Sequence, residues 1–348
     1  MDVLIVEPLE SEVVQWLGAR HPTRYAPELA RDPRALRKAL YSVRALVIPP
    51  SVAIDAAALR GAPLLRTVGR LSAGAENIDL EACAAAGVEV FRPASAGAVA
   101  EAEFAIGALL QMLRRVPVLN NEGLLVGREL GRCQVGLVGM APAAKPLAAL
   151  LTAFGAKVIG YDPAVHASDG LWASWGVQPV GLRELMEGSD AVCVLLTYFT
   201  RYQGLIGERY LESARADQVL LSLAHSSVFD EYTLAAALSA GRLAAAWLDS
   251  VEPGLLGPGR PLHGIDTLQV TPRVAGTTRE SRARAAWAVA RRVDEVLNQP
   301  MLRGESRPTA AEGAADAAAP NPPRPAATEA NLAAPDEPID LEAGSTPA

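Results

Sequence analysis

The sequence is poor in cysteine, in aromatic residues and in clustered basic residues. Of its 348 residues, 3 are cysteine and 5% are aromatic. Cys83, Cys133 and Cys193 lie far apart and show no C-x-x-C or histidine-paired spacing, so we expect buried thiols rather than disulfides or a metal site. No basic stripe is interleaved with aromatic side chains, which argues against nucleic-acid binding.

The N-terminus lacks a targeting or membrane-spanning pattern. It carries no basic region, and its first apolar run covers only residues 3–6. We therefore expect a cytoplasmic protein that does not bind membranes.

Acidic residues concentrate near the C-terminal end. Residues 303–348 hold eight acids and three arginines, a balance of −5, so residues 1–302 carry only −2 of the net charge of −7. Ala, Pro, Glu and Asp dominate this segment, and its large aliphatic side chains are Leu332, Ile339 and Leu341. Because so little apolar surface does not offset the entropy lost on ordering, we predict a disordered tail. A motif for an unknown partner around residues 338–342 stays open on composition alone.

Before the tail, apolar runs of strand length alternate with helical patterns. Residues 3–7, 45–48 and 65–68 are typical of strands, and residues 56–60 and 80–86 are typical of helices. A buried helix is predicted over residues 103–113, and a second alternating series begins at Gln134. This alternation indicates βαβ units with parallel sheets, and the length of the chain favours two such units.

The second series opens with a pattern typical of dinucleotide-binding folds. A strand from Gln134 is followed by a turn of small residues, a helix, a second strand and then Asp162, which lies 23 positions after Gly139. In this plan the acid holds the ribose hydroxyls of the nucleotide. The order of elements therefore predicts a Rossmann-type unit.

The glycines of this pattern are altered. Gly139-x-Ala141-x-x-Ala144 stands in place of G-x-G-x-x-G. Ala144 is tolerated at the third position, whereas the methyl group of Ala141 crowds the approach to a pyrophosphate. Pro142 removes a backbone donor from the turn, and losing one hydrogen bond to a charged group costs about tenfold or more in affinity. We predict a weakened dinucleotide site, with a unit kept only for its fold as the alternative.

Several further segments stand in a characteristic order along the chain. They are Val68-Gly69-Arg70, Asn77-Ile78-Asp79, Ala98-Val99-Ala100, Gly127-Arg128-Glu129-Leu130, Gly204-Leu205-Ile206-Gly207, Leu248-Asp249 and Val270-Thr271-Pro272. In them the sequence resembles the D-2-hydroxyacid dehydrogenases over residues 1–302. The resemblance implies an α/β fold of two Rossmann-like or flavodoxin-like parallel-sheet domains with a cleft between them. It implies a substrate domain of residues 1–100 and 277–302, an NAD-binding domain of residues 101–276, and a homodimer.

The resemblance also implies an Arg that orients a 2-keto acid, a His that exchanges the hydroxyl proton and a Glu that sets the pKa of that His. All three positions are replaced. His225 stands at the arginine position, Gly254 at the glutamate position and Arg273 at the histidine position.

An exchange of roles between these positions is one interpretation. His225 would move protons while Arg273 grips a carboxylate, and Glu252, two residues from the lost acid, is a candidate to orient His225. Ser226 and Ser227 suggest a Ser/His pair, but adjacent residues on a strand point to opposite faces, so we do not expect a hydrolase.

Two functions stay open. The one we favour is a catalytically impaired module that binds a nucleotide or a small 2-hydroxy or 2-keto acid. The alternative is an active NAD(H)-dependent oxidoreductase that uses His225 and Arg273. The implied cofactor-binding residues are Gly139, Ala141, Ala144, Asp162 and Asp249, and the implied substrate-binding residues are Arg70, Ser72, Ala73 and Gly74. We expect NAD to bind weakly or not at all.

Overall fold

A computed structural model describes residues 1–72, 74–116, 118–119, 122–197, 199–252 and 254–299. The prediction of a substrate contact at Ala73 and the predictions for residues 303–348 lie outside these residues. The strands are β1 (Val3–Ile5), β2 (Thr23–Tyr25), β3 (Ala45–Ile48), β4 (Thr67–Arg70), β5 (Glu89–Phe91), β6 (Val118–Leu119), β7 (Leu125–Val126), β8 (Gln134–Val138), β9 (Lys157–Tyr161), β10 (Gln178–Pro179), β11 (Ala191–Val194), β12 (Val219–Ser222), β13 (Ala245–Leu248) and β14 (Leu268–Val270). The α-helices are α1 (Ser11–Gly18), α2 (Pro33–Leu40), α3 (Ala56–Arg60), α4 (Leu80–Ala85), α5 (Ala98–Arg115), α6 (Ala144–Phe154), α7 (Gly170–Trp175), α8 (Leu182–Gly188), α9 (Glu208–Leu211), α10 (Glu231–Ser239) and α11 (Arg279–Asn298).

The first unit comprises residues 1–97 and, of the described residues, 279–299. Its sheet has the order β2-β1-β3-β4-β5 with every pair parallel, which is the flavodoxin-like order. Successive residues of β1 face opposite sides: Leu4 packs in one core and Val3 in the other, which α1 and α11 cover. Burial on both faces explains why these strands read as continuous apolar runs.

The second unit comprises residues 98–278 of the described chain. Its sheet has the order β10-β9-β8-β11-β12-β13-β14, again parallel throughout, which is the Rossmann order with one further strand. Helices α5 and α6 cover one face and α8 and α10 cover the other. The predicted α/β fold with two parallel sheets is confirmed.

Strand β8 lies between β9 and β11, so the sheet is extended by β9 and β10 on one side of β8 and by β11 to β14 on the other. In open parallel sheets, ligands bind beyond the carboxyl ends of the strands at such a switch point. The predicted cofactor and catalytic residues of this unit each follow a strand of the sheet. They are the turn of residues 139–143 after β8, Asp162 after β9, His225 after β12, Asp249 after β13 and Arg273 after β14. The predicted nucleotide-binding and catalytic residues of this unit therefore all lie beyond the carboxyl ends of the strands of this sheet.

Helix α5 belongs to a segment, Ala94–Arg115, that is long and apolar enough to cross a membrane by length and composition, and half of it is buried in the protein. Ala105, Leu109 and Leu113 lie in the core of the second unit against α6. The predicted buried helix is confirmed as a core helix.

Candidate functional site

The turn after β8 depends on Gly139. Its φ is +100°, and a Cβ atom there would lie 2.7 Å from the backbone nitrogen of Leu196. Its N–H donates to the carbonyl oxygen of Tyr161 at 2.7 Å, which ties the turn to β9. The first glycine of the pattern is thus required by the backbone path.

Asp162 holds the same turn. Its Oδ2 accepts the N–H of Met140 at 2.6 Å, and its Oδ1 accepts the N–H of Ala164 at 2.7 Å. Because each carboxylate oxygen has a second lone pair, the acid retains capacity for ribose hydroxyls while it positions the turn.

The N-terminus of α6 attracts anions with fewer donors than usual. Ala143 is the N-cap and supplies no side-chain cap, so backbone N–H groups and the helix dipole face outward. Pro142 and Pro146 contribute no N–H to this first turn. Lys145, which is exposed in the same turn, adds a positive charge. This first turn therefore combines a reduced number of backbone donors with the exposed positive charge of Lys145.

His225 lies in a turn directly after β12. It caps the short 3₁₀ helix Ser226–Val228, and its Nδ1 lies 2.8 Å from the hydroxyl oxygen of Ser227 and 3.3 Å from the Ser227 nitrogen. The argument that placed Ser226 and Ser227 on a strand is wrong, because the turn brings Ser227 to His225.

Glu252 is the carboxylate next to His225. Its Oε1 lies 3.8 Å from the His225 Nδ1, and its N–H donates to the Ser226 hydroxyl at 3.2 Å. Gly254, where the resemblance implies the acid, has a φ of +83°, a backbone conformation that strains a glutamate. The loop after β13 thus carries a carboxylate two residues before Gly254. The predicted role of Glu252 in orienting His225 needs a carboxylate at this place.

Asp249 organises the loop that carries Arg273. It is 3% exposed, and its carboxylate accepts hydrogen bonds from the Thr271 hydroxyl at 2.6 Å and from the N–H groups of Val274 at 3.0 Å and Ala275 at 2.9 Å. These bonds position the loop after β14. The predicted contact of Asp249 with the cofactor stays a prediction.

Arg273 has the one positive φ, +57°, among the non-glycine residues that the structure describes. Its N–H donates to the Asp249 carbonyl oxygen at 2.5 Å, which holds this strained conformation. Its Nε and Nη2 donate to the hydroxyl of buried Ser250 at 3.2 and 3.1 Å. The guanidinium at the family's histidine position is therefore directed by a neighbouring serine.

Glu101, on the first turn of α5, is a residue that sequence reasoning missed. A Cβ atom on Gly276 would lie 2.7 Å from its Oε1, so the carboxylate lies against the loop after β14. Burial, and then the negative charge of Asp249, raise the pKa of Glu101. An acid in the first turn of a largely apolar helix was the available signal, although the first turns of α-helices favour acids for other reasons.

In the first unit, the predicted substrate residues surround a buried arginine. Arg70 is 4% exposed and donates to the Ser72 hydroxyl at 2.9 Å, to Glu76 at 3.2 Å and to the Asn77 side chain. Gly74 lies under the Glu76 carboxylate. Arg70, Ser72 and Gly74 thus form one polar cluster at the carboxyl end of β4.

The three cysteines lie in the interior of the protein. Cys83, Cys133 and Cys193 are buried, as predicted, and burial raises the pKa of Cys83 to about 11 and that of Cys193 to about 12. Within the described ranges, no group of three His, Cys, Asp or Glu residues is placed to hold a metal ion.

Comparison with known proteins covers about 85% of the chain. The family described as D-isomer specific 2-hydroxyacid dehydrogenase, NAD binding domain, matches residues 106–275. The (S)-sulfolactate dehydrogenase of Chromohalobacter salexigens is 30% identical over 305 residues, which cover 85% of this chain and 98% of that protein. The D-3-phosphoglycerate dehydrogenase of Mycobacterium bovis is 30% identical over 301 residues, 84% of this chain, and this chain spans only 56% of it. A crystal structure from Thermus thermophilus superimposes with a TM-score of 0.69 at 25% identity, covering 85% of this chain and 97% of that one. The chain belongs to the D-isomer specific 2-hydroxyacid dehydrogenase family.

Proposed function

We propose that this protein is a D-2-hydroxyacid dehydrogenase homologue that binds a nicotinamide dinucleotide weakly and is impaired in catalysis. The observation that carries the proposal is Arg273, which stands where the resemblance implies a proton-exchanging histidine. A guanidinium does not release its proton at physiological pH, so it cannot serve as the acid or base for a hydroxyl group. Gly254 supplies no carboxylate beside it.

The cofactor site retains part of its chemistry. Gly139 fixes the path of the turn, Asp162 would offer acceptors to a ribose, and the uncapped start of α6 with Lys145 would bind the phosphates. A bound NADH would supply a hydride. We expect NADH to be preferred over NADPH, because the Asp162 carboxylate repels a 2′-phosphate.

The ligand class proposed for the first unit is a small 2-hydroxy or 2-keto acid. Its carboxylate would bind the backbone amides of Ser72 and Gly74 and the positively charged side chain of Arg70. Because Glu76 already pairs with Arg70 at 3.2 Å, an acid ligand has to compete with this carboxylate. Weak binding of small acids follows from that competition.

A second candidate, an active oxidoreductase, is favoured by one specific observation: the 3.8 Å approach of Glu252 to His225. In this candidate the His225 imidazolium gives its Nε2 proton to the carbonyl oxygen of the substrate. The Glu252 carboxylate would stabilise the charged ring, and the Ser227 hydroxyl would accept a hydrogen bond from the Nδ1–H, which stays on the ring. Arg273 leaves Ser250 to hold the substrate carboxylate.

One assay distinguishes the two candidates. Titration calorimetry measures NADH binding, and loss of NADH absorbance measures reduction of glyoxylate, hydroxypyruvate and pyruvate. Weak NADH binding without turnover supports the impaired homologue. Robust turnover that His225→Ala abolishes establishes the second candidate. Absence of any NADH binding refutes both.

We further propose a homodimer in the cytoplasm. The hairpin of β6 and β7 exposes Leu119, Leu124 and Leu125, and burying such side chains against a second copy is favourable. Light scattering after size exclusion tests this: a dimer that Leu125→Glu dissociates is the expected result, and a monomeric unmodified chain contradicts it.

A further inference from the structure

A cavity lies in the first unit, and none of the residues assigned so far lines it. It has a volume of about 240 Å³ and is enclosed by α2, the segment after β3 and α3. Its apolar wall consists of Leu36, Leu40, Val52, Ile54 and Ala58, all of which are buried. Because protein interiors leave few voids larger than a water molecule, a space of this size is a candidate binding site.

The cavity follows from the sequence on its two sides. On α2, Pro33, Leu36, Arg37 and Leu40 have the i, i+3, i+4, i+7 spacing that places them on one face of a helix. Elsewhere in the lining, positions 53 and 58 hold alanines, whose single methyl groups fill little space. The side chains of the protein therefore leave this space open.

The segment after β3 is held in place without a ligand. The Ile54 N–H donates to the Asn77 carbonyl oxygen at 2.8 Å, and the Ile54 carbonyl oxygen accepts the Asp79 N–H at 2.8 Å. The Asn77 side chain also donates to the Val52 carbonyl oxygen. Because this wall is already ordered, a ligand loses little affinity to ordering it.

Two opposite charges line the cavity without pairing with each other. Arg37 and Asp55 are both exposed, which places them at its mouth. Within the part of the chain that the structure describes, the Arg37 side chain makes no ion pair or hydrogen bond. The Asp55 Oδ1 accepts the Ala58 N–H at 2.7 Å, and the Oδ2 has no partner among the same residues. The mouth thus offers a cation and an anion to a ligand, beside an apolar wall.

We propose that this cavity binds a free amino acid with a branched aliphatic side chain, such as leucine. The ligand carboxylate pairs with Arg37, its ammonium pairs with Asp55, and its side chain packs against the apolar wall. A zwitterion satisfies both charges, whereas Asp55 repels an aliphatic acid and Arg37 repels an aliphatic amine. An apolar cavity of about 150 Å³ already admits benzene, so the larger space here has room for a branched alkyl group with two charged ends.

The first test compares four ligands on the unmodified chain by titration calorimetry, with no NADH present. Leucine is the proposed ligand, 4-methylpentanoate lacks its ammonium, 3-methylbutylamine lacks its carboxylate and glycine lacks its side chain. We expect leucine to bind at least about tenfold more tightly than each of the others, because each lacks one of the three contacts. If leucine shows no binding and does not raise the melting temperature at millimolar concentration, the proposal is overturned. Equal affinity for any of the other three ligands overturns it as well.

The second test locates the site with variants. Arg37→Gln should weaken leucine binding about tenfold and leave 3-methylbutylamine binding no weaker, since that ligand has no carboxylate. Asp55→Asn keeps an oxygen for the Ala58 N–H, and it should weaken the binding of leucine but not that of 4-methylpentanoate. Ala53→Phe, at an exposed lining position, should block the mouth and weaken leucine binding.

Arg34→Gln and Ala57→Phe are the matched controls, because Arg34 on α2 and Ala57 on α3 are exposed and do not line the cavity. Both should bind leucine as the unmodified chain does. Leucine affinity within about twofold of the unmodified chain in Arg37→Gln or Ala53→Phe overturns the proposal. An equal loss in the controls also overturns it, because that pattern indicates a general structural effect. The proposed function does not depend on either result, since NADH binding is measured separately.

Discussion

Repairing the turn after β8 should tighten dinucleotide binding. The perturbation is Ala141→Gly with Pro142→Arg, which clears the approach to the pyrophosphate and restores a backbone N–H. Pro142 lies before α6, which begins at Ala144, so the helix itself is not altered. One added hydrogen bond to a charged group contributes roughly 1.5–3 kcal/mol, or about tenfold to a hundredfold in affinity.

The added glycine has a separate cost. Its greater freedom in the unfolded chain lowers the free energy of unfolding by about 0.5–1 kcal/mol, so the repaired variant should melt slightly earlier while it binds more tightly. Tighter binding and lower stability together would distinguish a repaired site from a general gain in order.

Titration calorimetry with NADH is the assay. Pro258→Arg is the control, because it makes the same exchange at an exposed proline in the connection between β13 and β14. The reasoning is refuted if the unmodified chain already binds NADH with a submicromolar Kd. It is equally refuted if the repaired variant binds no more tightly than Pro258→Arg.

Three further predictions concern single side chains. The folded state raises the pKa of Glu101, so ionisation of this side chain destabilises the fold as pH rises through that pKa. Glu101→Gln should therefore raise the melting temperature at pH 7 by a few degrees and lose this gain below about pH 4.3. The control Glu103→Gln, at an exposed position, should show neither effect. Asp249→Asn should lower the free energy of unfolding in urea by roughly 1–3 kcal/mol. The reason is that the NH2 group of the asparagine would face a backbone N–H that now donates to the carboxylate. An unchanged urea midpoint would show that these hydrogen bonds do not contribute to stability. If any turnover exists, His225→Ala should abolish it. Glu252→Gln should lower kcat, because its carboxylate lies 3.8 Å from the His225 Nδ1, and an unchanged kcat would remove Glu252 from the site.

The sequence predicted the fold closely because both sheets are parallel and buried on both faces. Strands such as β3, with all four residues buried, appear as uninterrupted apolar runs, and Gly139 with Asp162 marks the turn that starts the Rossmann unit. These signals are local in sequence, so they can be read without knowledge of tertiary contacts.

The site was less predictable because its contacts depend on turns. The sequence predicts a strand at Ser226 and Ser227. The observed 3₁₀ turn instead brings the Ser227 hydroxyl within 2.8 Å of the His225 Nδ1. The hydrogen bond from Arg273 to Ser250 joins residues 23 positions apart in sequence. It also depends on a left-handed backbone conformation at Arg273, which arginine rarely adopts and which its sequence does not predict. Glu101 was missed since its raised pKa comes from long-range neighbours.

Whether the exchanged residues can act together turns on what holds each of them. His225 and Arg273 follow β12 and β14, with β13 between them, so their strands are separated by two spacings of about 4.8 Å. Long side chains span that gap, and the Glu252 carboxylate is already beside the imidazole. The guanidinium, however, is directed at Ser250, and its backbone is held by Asp249. Releasing the Ser250 hydroxyl from the charged guanidinium costs about 1.5–3 kcal/mol, which a bidentate hold on a substrate carboxylate offsets, whereas the left-handed backbone at Arg273 stays fixed by Asp249. The limiting element is therefore the loop conformation that aims Arg273, more than the exchange of residue types.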